Sequence, residues 1–325
     1  MSMSVPSPRP VQLSRGYATA LASSLFLSTT AIFIRYLVLE YRLPELVLAF
    51  WRDLFTVVTI SIVLLFLNRN LLQVERKNIP YLIVYGFILA TFNSLWTLSV
   101  ALNGAAIATV LVYSSAAFTA LLGWIFLREG LGWAKLLAVI ICMLGCALVS
   151  GVITASDMQL TEAGMLCGLL AGMSYALYSL MGRAASQRGI NPWSTLLYTF
   201  TFATLILLGV NLLGGETLPG GIAHPGELFW LGNHWTGWLV LFLLAAGPTV
   251  AGFGLYNVSL GHLPASVVNL VLTTEPVFTA FFAYLIFGEE LKNFQWAGGL
   301  LILSGVVWLR FYEGWLVNRK KLNQI

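Results

Sequence analysis

A chain of 325 residues in which 58% are hydrophobic and only 9% are charged, with a mean hydropathy of +0.85, has too little polar surface to coat a water-soluble globule. Composition therefore places it in a membrane and excludes a soluble enzyme or soluble binding module. The formal net charge of +4 is small, and its basic residues read as anchors beside lipid, so no nucleic-acid partner is implied.

The apolar runs are continuous, which points to helices; a barrel would alternate polar and apolar residues in short strands. From Ile79 to Leu127, and again from Leu228 to Thr274, there is no Asp, Glu, Lys or Arg. Each run is long enough for two spans of about 20 residues. Breaking the chain at Pro, Gly, Asn and charge clusters predicts ten transmembrane helices, at 16–39, 44–67, 80–102, 105–127, 132–151, 162–184, 192–213, 236–261, 264–287 and 294–312. The first is too long for the core of a signal peptide, although Ala20-Leu21-Ala22 resembles a cleavage site, and is read as a retained helix. Tails of 1–15 and 313–325 flank them, the second basic.

Placing both termini in the cytoplasm puts thirteen basic residues inside: Arg9, Arg15, Arg69, Arg76, Lys77, Arg128, Lys135, Arg183, Arg188, Arg310, Arg319, Lys320 and Lys321. Only Arg35, Arg42 and Lys292 fall outside, so the positive-inside rule fixes that orientation. The longest connection, 214–235, has no Lys or Arg and lies outside.

The chain is also a duplication. At an offset of 160, Phe118-Thr119-Ala120 lies over Phe278-Thr279-Ala280, Glu129 over Glu289 and Leu131 over Leu291. Earlier in each half the offset is 148: Gly16 pairs with Gly164, Arg35 with Arg183 and Pro44 with Pro192. The repeats, 16–152 and 162–312, thus hold five spans each. An odd number inverts the second copy, the arrangement of secondary transporters that alternate access by rocking one bundle against another. Small residues recur every fourth position in the first span of each copy (Gly16, Ala20, Ser24, Ser28 and Gly164, Gly168, Gly172, Ala176), predicting close helix contact inside the bundle.

Pro276-Val277-Phe278 with Gly288-Glu289, the weaker copy Phe118-Thr119-Ala120 with Arg128-Glu129, and Trp51-Arg52 after Pro44 resemble the drug/metabolite transporter superfamily. Within it, the chain is similar to the EamA-like permeases of ten helices, over about 16–312. The aromatic-rich spans resemble its aromatic amino acid exporters, which implies export of aromatic amino acids and related metabolites across the bacterial inner membrane. Ala116 stands where the second copy has Pro276, a departure expected to leave the two copies mechanically unequal.

Polar and aromatic residues inside the spans nominate the solute site. Asn93, Trp96 and Thr97 align with Phe253, Tyr256 and Asn257, and Thr109 and Tyr113 align with Asn269 and Thr273, as two stripes about one pseudo-two-fold axis. The sixth span adds Tyr175 and Tyr178. Aromatic walls with uncharged hydrogen-bonding groups suit a flat, amphipathic solute in a central cavity. Trp235, Trp238, Trp308 and Trp315 read instead as interfacial belt residues.

Arg52, Asp53 and Glu275 are charges well inside spans, so each needs a partner or a task. Arg52 pairs with Asp53 or with Glu275. Glu275 either braces the kink that Pro276 makes or titrates as a proton-coupling acid; the bracing reading is preferred. Cys142, Cys146 and Cys167 lie in apolar helix interiors without further ligands and read as small core residues, giving no metal site and no disulfide framework.

Other functions fit less well. Phosphorylated or nucleotide-linked sugars need several mid-membrane cations, and only Arg52 qualifies. An intramembrane enzyme lacks its inventory: His224, His234 and His262 all fall in loops or at span ends, and there is no phosphate loop. No cofactor is expected. Export of nucleobases, drugs or toxic cations, and a passive channel, remain as alternatives, and the energy source and oligomeric state stay open.

Overall fold

Proline, asparagine and threonine set many of the helix boundaries in the computed structural model, which describes residues 10–103, 105–149, 161–215, 218, 220–287 and 292–322. The helices are α1 (Pro10–Tyr41), α2 (Glu45–Leu67), α3 (Ile79–Asn103), α4 (Ala105–Tyr113), α5 (Ser115–Leu127), α6 (Trp133–Val149), α7 (Glu162–Gln187), α8 (Pro192–Gly214), α9 (Trp235–Leu244), α10 (Val250–His262), α11 (Ala265–Leu272), α12 (Glu275–Phe287) and α13 (Asn293–Leu322). Extended Pro44 precedes α2, Thr161 Oγ1 accepts from Gly164 N at the start of α7, and Asn191 accepts from Trp193 N ahead of Pro192 at the first position of α8. No strand occurs among the described residues.

Nine stretches among the described residues are long and apolar enough to cross a membrane, and Trp133–Val149 is a shorter apolar helix that makes a tenth span. The ten predicted spans are therefore present. The outer helices run further than expected: α1 begins at Pro10, inside the predicted tail, and α13 continues to Leu322 through the basic tail. Gly288 and Glu289 fall outside the described residues.

Three spans are each built from two helices, because individual backbone bonds are interrupted. The fourth span breaks at Ser114 between α4 and α5, and the ninth at Thr273-Thr274 between α11 and α12. The eighth contains a wider turn at Ala245–Thr249, where Pro248 lacks the N–H that a regular ladder requires.

The breaks in spans four and nine correspond across the 160-residue offset. Ser114 N bonds Leu111 O (3.1 Å) and Thr274 N bonds Val271 O (3.0 Å), while Ser114 Oγ and Thr274 Oγ1 donate to those same carbonyls. Only the second copy has a proline. A proline is thus not required for an interruption at this point, since Ser114 makes the same break two residues ahead of Ala116. Pro276→Ala should leave the break in place, since the hydroxyl at 274 still competes for the carbonyl. Amide exchange across 272–277 tests this; uniform protection through the stretch would identify proline as the cause.

Each half lends its first helix to the other. α1 packs on α10, α11 and α12, and α7 packs on α3, α4 and α5. The small-residue stripes carry these contacts. Ser24 Oγ lies 2.8 Å from Thr274 Oγ1, Ser23 donates to Gly252 O, and a Cβ on Gly172 would sit 2.6 Å from Ser114 Oγ. The last spans of the two copies meet as closely: a Cβ on Gly298 would lie 2.7 Å from Gly145 O, so α6 and α13 touch backbone to backbone. The stripes are internal seams, as predicted.

Candidate functional site

With α7 laid across α3–α5 and α10 alongside it, the face of α7 that carries Tyr175, Tyr178 and Ser179 turns into the bundle and is buried. Tyr175 and Tyr178 face Tyr256 of α10, with the three ring pairs 6.0–6.1 Å apart and inclined by 6°, 24° and 20°. Because all three centroids are about equally far apart, the near-parallel tyrosines form a triangular cluster, not a single pile of rings. Phe92 lies 4.9 Å from Tyr175, Tyr85 lies 4.7 Å from Tyr178, and Phe253 meets Tyr178 edge-on at 87°. Six aromatic rings from three spans thus form one cluster, buried except for the half-buried Phe92.

A polar network runs beside the cluster. Tyr256 Oη donates to Ser179 Oγ (2.5 Å), and Asn269 Nδ2 donates to Thr119 Oγ1 (2.5 Å) and Ser179 Oγ (2.9 Å). Tyr256 Oη also lies 3.4 Å from Asn269 Oδ1. These bonds join α5, α7, α10 and α11, elements from both repeats.

Around the cluster several buried polar atoms lack a well-formed bond: Tyr85 Oη, Tyr178 Oη and both amide atoms of Asn257. Tyr178 faces both Tyr85 and Asn257. Asn257 is only 3% exposed, and with Tyr178 as its neighbour its amide keeps hydrogen-bonding capacity that a polar guest can use.

Arg52 resolves its two predicted options in favour of its neighbour. Its Nε and one terminal nitrogen both donate to Asp53 Oδ1 at 3.1 Å, and Asp53 Oδ2 accepts from Asn93 Nδ2 at 3.1 Å. Glu275, the first residue of α12, instead faces the hydroxyl of Tyr113, the last residue of α4. The carboxylate therefore sits on the first turn of a helix, where the dipole favours it, and joins the break in the ninth span to the break in the fourth.

The predicted site residues thus fall into three groups. Tyr175, Tyr178, Tyr256, Asn257 and Asn269 come together at the cluster. Asn93 joins Asp53 and Arg52, and Tyr113 joins Glu275. Thr97 is buried but outside these networks, Trp96 is half-buried and takes no part in the ring cluster, and the Thr273 hydroxyl turns back on Leu270 O (2.6 Å). A crevice of about 350 Å³ between α1, α6, α12 and α13 is lined by Leu25, Val149, Val277, Phe281 and Trp296, with Gln295 at its edge, and by none of the predicted site residues.

Sequence reading missed Tyr85, Phe92 and Thr119 as site partners. Tyr85 and Phe92 lie two turns and a quarter turn before Asn93 on α3, and Thr119 was read only as a marker of the repeat. Trp238, assigned to the interfacial belt, packs edge-on to Trp51 at 4.7 Å, and Trp51 Nε1 bonds Leu228 O.

Known proteins share this layout. A solved crystal structure superposes with a TM-score of 0.75 at 15% identity, covering 93% of this chain and 99% of its own, which shows the fold. The uncharacterized transporter YyaM of Bacillus subtilis (strain 168) is 25% identical over 294 residues, 90% of this chain and 92% of its own length. A protein described as a probable amino-acid metabolite efflux pump of Salmonella typhimurium is 24% identical over 72% of this chain and 78% of its own. An S-adenosylmethionine uptake transporter of Rickettsia bellii is 23% identical over 86% and 88%. Residues 14–151 and 162–311, the two inverted halves whose first helices are exchanged, each match one and the same family description, and the chain belongs to the EamA-like transporter family.

Proposed function

We propose that this membrane transporter exports small amphipathic metabolites, with aromatic amino acids and their analogues as the substrate class, by alternating access of its two repeats. The observation that carries the reading is the cluster of three near-parallel tyrosines flanked by the buried Asn257 amide, which forms no well-shaped bond. A flat ring entering the cluster exchanges one ring–ring contact for another, while its polar end meets the Asn257 amide and the Tyr85 and Tyr178 hydroxyls, whose bonds to one another are poorly formed. The amino-acid metabolite efflux pump among its relatives supports the same substrate class. Arg69, Arg76, Lys77, Arg128, Lys135, Arg183 and Arg188 collect at the end of the bundle that holds both termini, which supports a cytoplasmic assignment for that end and an inner-membrane location.

The test is flux of labelled tryptophan and phenylalanine, beside alanine, lysine and a hexose phosphate, in proteoliposomes with and without a pH gradient. Selective movement of the aromatic solutes is the expected result. Movement of alanine or the hexose phosphate at equal rate would remove the aromatic assignment.

Glu275 serves in this reading as the brace between the two helix breaks. Glu275→Gln keeps a group able to face Tyr113, so flux and its pH dependence should persist while stability falls by about 1 kcal/mol. A folded Glu275→Gln protein that transports without its former pH dependence would make Glu275 the coupling acid.

A further inference from the structure

We propose that the protein rests with the end that carries its termini shut, held by a lock that one repeat supplies and the other has lost. The inference rests on the alternating-access reading, in which the two repeats exchange arrangements to open one end and close the other.

The lock has two tiers, and every member has a counterpart in the inverted copy. In the outer tier, the Glu129 carboxylate accepts from Ala265 N (2.7 Å) and Ser266 N (3.3 Å), the first backbone donors of α11, and from the Ser266 hydroxyl. Lys135 Nζ donates to Ser266 Oγ at 2.9 Å and is itself buried. A carboxylate on the open N–H groups of a helix, bridged by a hydroxyl to a buried cation, ties the fourth and fifth spans of one repeat to the ninth span of the other. The counterparts at an offset of 160 are Glu289, Ala106 and Gln295. Residue 106 has no hydroxyl to bridge, and Gln295 is neutral and occupied elsewhere: its Nε2 bonds Val149 O at 3.0 Å and its Oε1 accepts from Lys292 N at 3.0 Å.

The inner tier repeats the contrast. Tyr256, Ser179, Asn269 and Thr119 form the bonded network described above, whereas their counterparts are Trp96, Ala31, Thr109 and Thr279. Ala31 cannot bond, and Thr279 donates instead to Ser28 O at 3.2 Å. Packing agrees with chemistry. All eight residues of α11 are buried, while Thr109, Val110 and Leu111 of the equivalent α4 are half-buried. Exchange of the two arrangements therefore replaces a bonded closure by one with fewer polar partners, and the terminal-end-shut state dominates.

The experiment uses the full-length protein in nanodiscs, where both ends meet reagent, so its outcome is independent of membrane orientation and of any solute. In a background of C142A, C146A and C167A, Leu270→Cys behind the lock and its counterpart Val110→Cys are labelled with an impermeant methanethiosulfonate. Val110→Cys should react several-fold faster. S266A/K135Q, which gives the lock the composition of the other copy, should speed Leu270→Cys at least threefold, and A106S/Q295K should slow Val110→Cys. Equal rates at the two positions, or an unchanged Leu270→Cys rate in folded S266A/K135Q, would overturn the proposal. Should S266A/K135Q fail to fold, A106S/Q295K decides alone, and no slowing of Val110→Cys defeats the lock. Absence of solute flux in proteoliposomes would count against the transport reading and leave these rates to be judged separately.

Discussion

Asp53→Leu is expected to cost the fold about 3–5 kcal/mol, because it strands the Arg52 guanidinium in a buried site. Asp53 is 0% exposed and Arg52 7%, and Arg52 directs two donor atoms at Asp53 Oδ1. The change also frees Asn93 Nδ2, whose bond goes to Asp53 Oδ2. The pair as a whole contributes far less than its disruption costs, since two desolvated ions repay their burial only in part. The double substitution Arg52→Met with Asp53→Leu should therefore recover most of the loss. Thermal unfolding in detergent, run as a double-mutant cycle, checks both statements. Additive losses would mean that the two side chains do not depend on one another and would remove the ion pair from the account.

Asn269→Leu should cut transport by tenfold or more while the protein still folds. Asn269 Nδ2 is shared by Thr119 and Ser179, and its Oδ1 faces Tyr256, so one side chain joins the fourth, sixth, eighth and ninth spans. Leucine fills similar space but removes the two bonds from Asn269 Nδ2, at about 0.5–1.5 kcal/mol each, while Thr119, Ser179 and Tyr256 keep their bonds to Ser115 O, Tyr175 O and Ser179 Oγ. Each 1.4 kcal/mol lost from the productive arrangement is a tenfold change. The measurement is initial flux in proteoliposomes, normalised to protein that elutes as a single species. Flux within twofold of the unmodified protein would mean that the network is dispensable and that the tyrosine cluster does not need it.

Much of the fold was legible because a lipid environment constrains a chain so strongly. Every backbone N–H and C=O in hydrocarbon must bond within its own helix, so length and apolar content locate spans directly, and all ten predicted spans are present. The break at Thr273-Thr274 was half visible through Pro276. Its twin at Ser114 was not, since a serine that turns back on a carbonyl has the same appearance in sequence as one that faces a neighbour. The wider turn at Ala245–Thr249 carried a readable signal in Pro248 that the count of spans had no need of.

The candidate site was legible in kind and only partly in arrangement. Intramembrane Tyr, Asn and charged residues announce themselves by their cost in lipid. Sequence alone determined the membrane class, the duplication and, through five spans per copy, the inversion of the second half. Only the tertiary structure decided which polar groups meet: Tyr256 with Ser179, 77 residues apart, Asn269 with Thr119, 150 apart, and Ser24 with Thr274, 250 apart. Hydropathy is a sum along one segment, whereas these contacts depend on how each helix is rotated and on the exchange of first helices between halves. That exchange is driven by close packing of small residues whose partners lie in the other repeat, and no property of either segment taken singly specifies it.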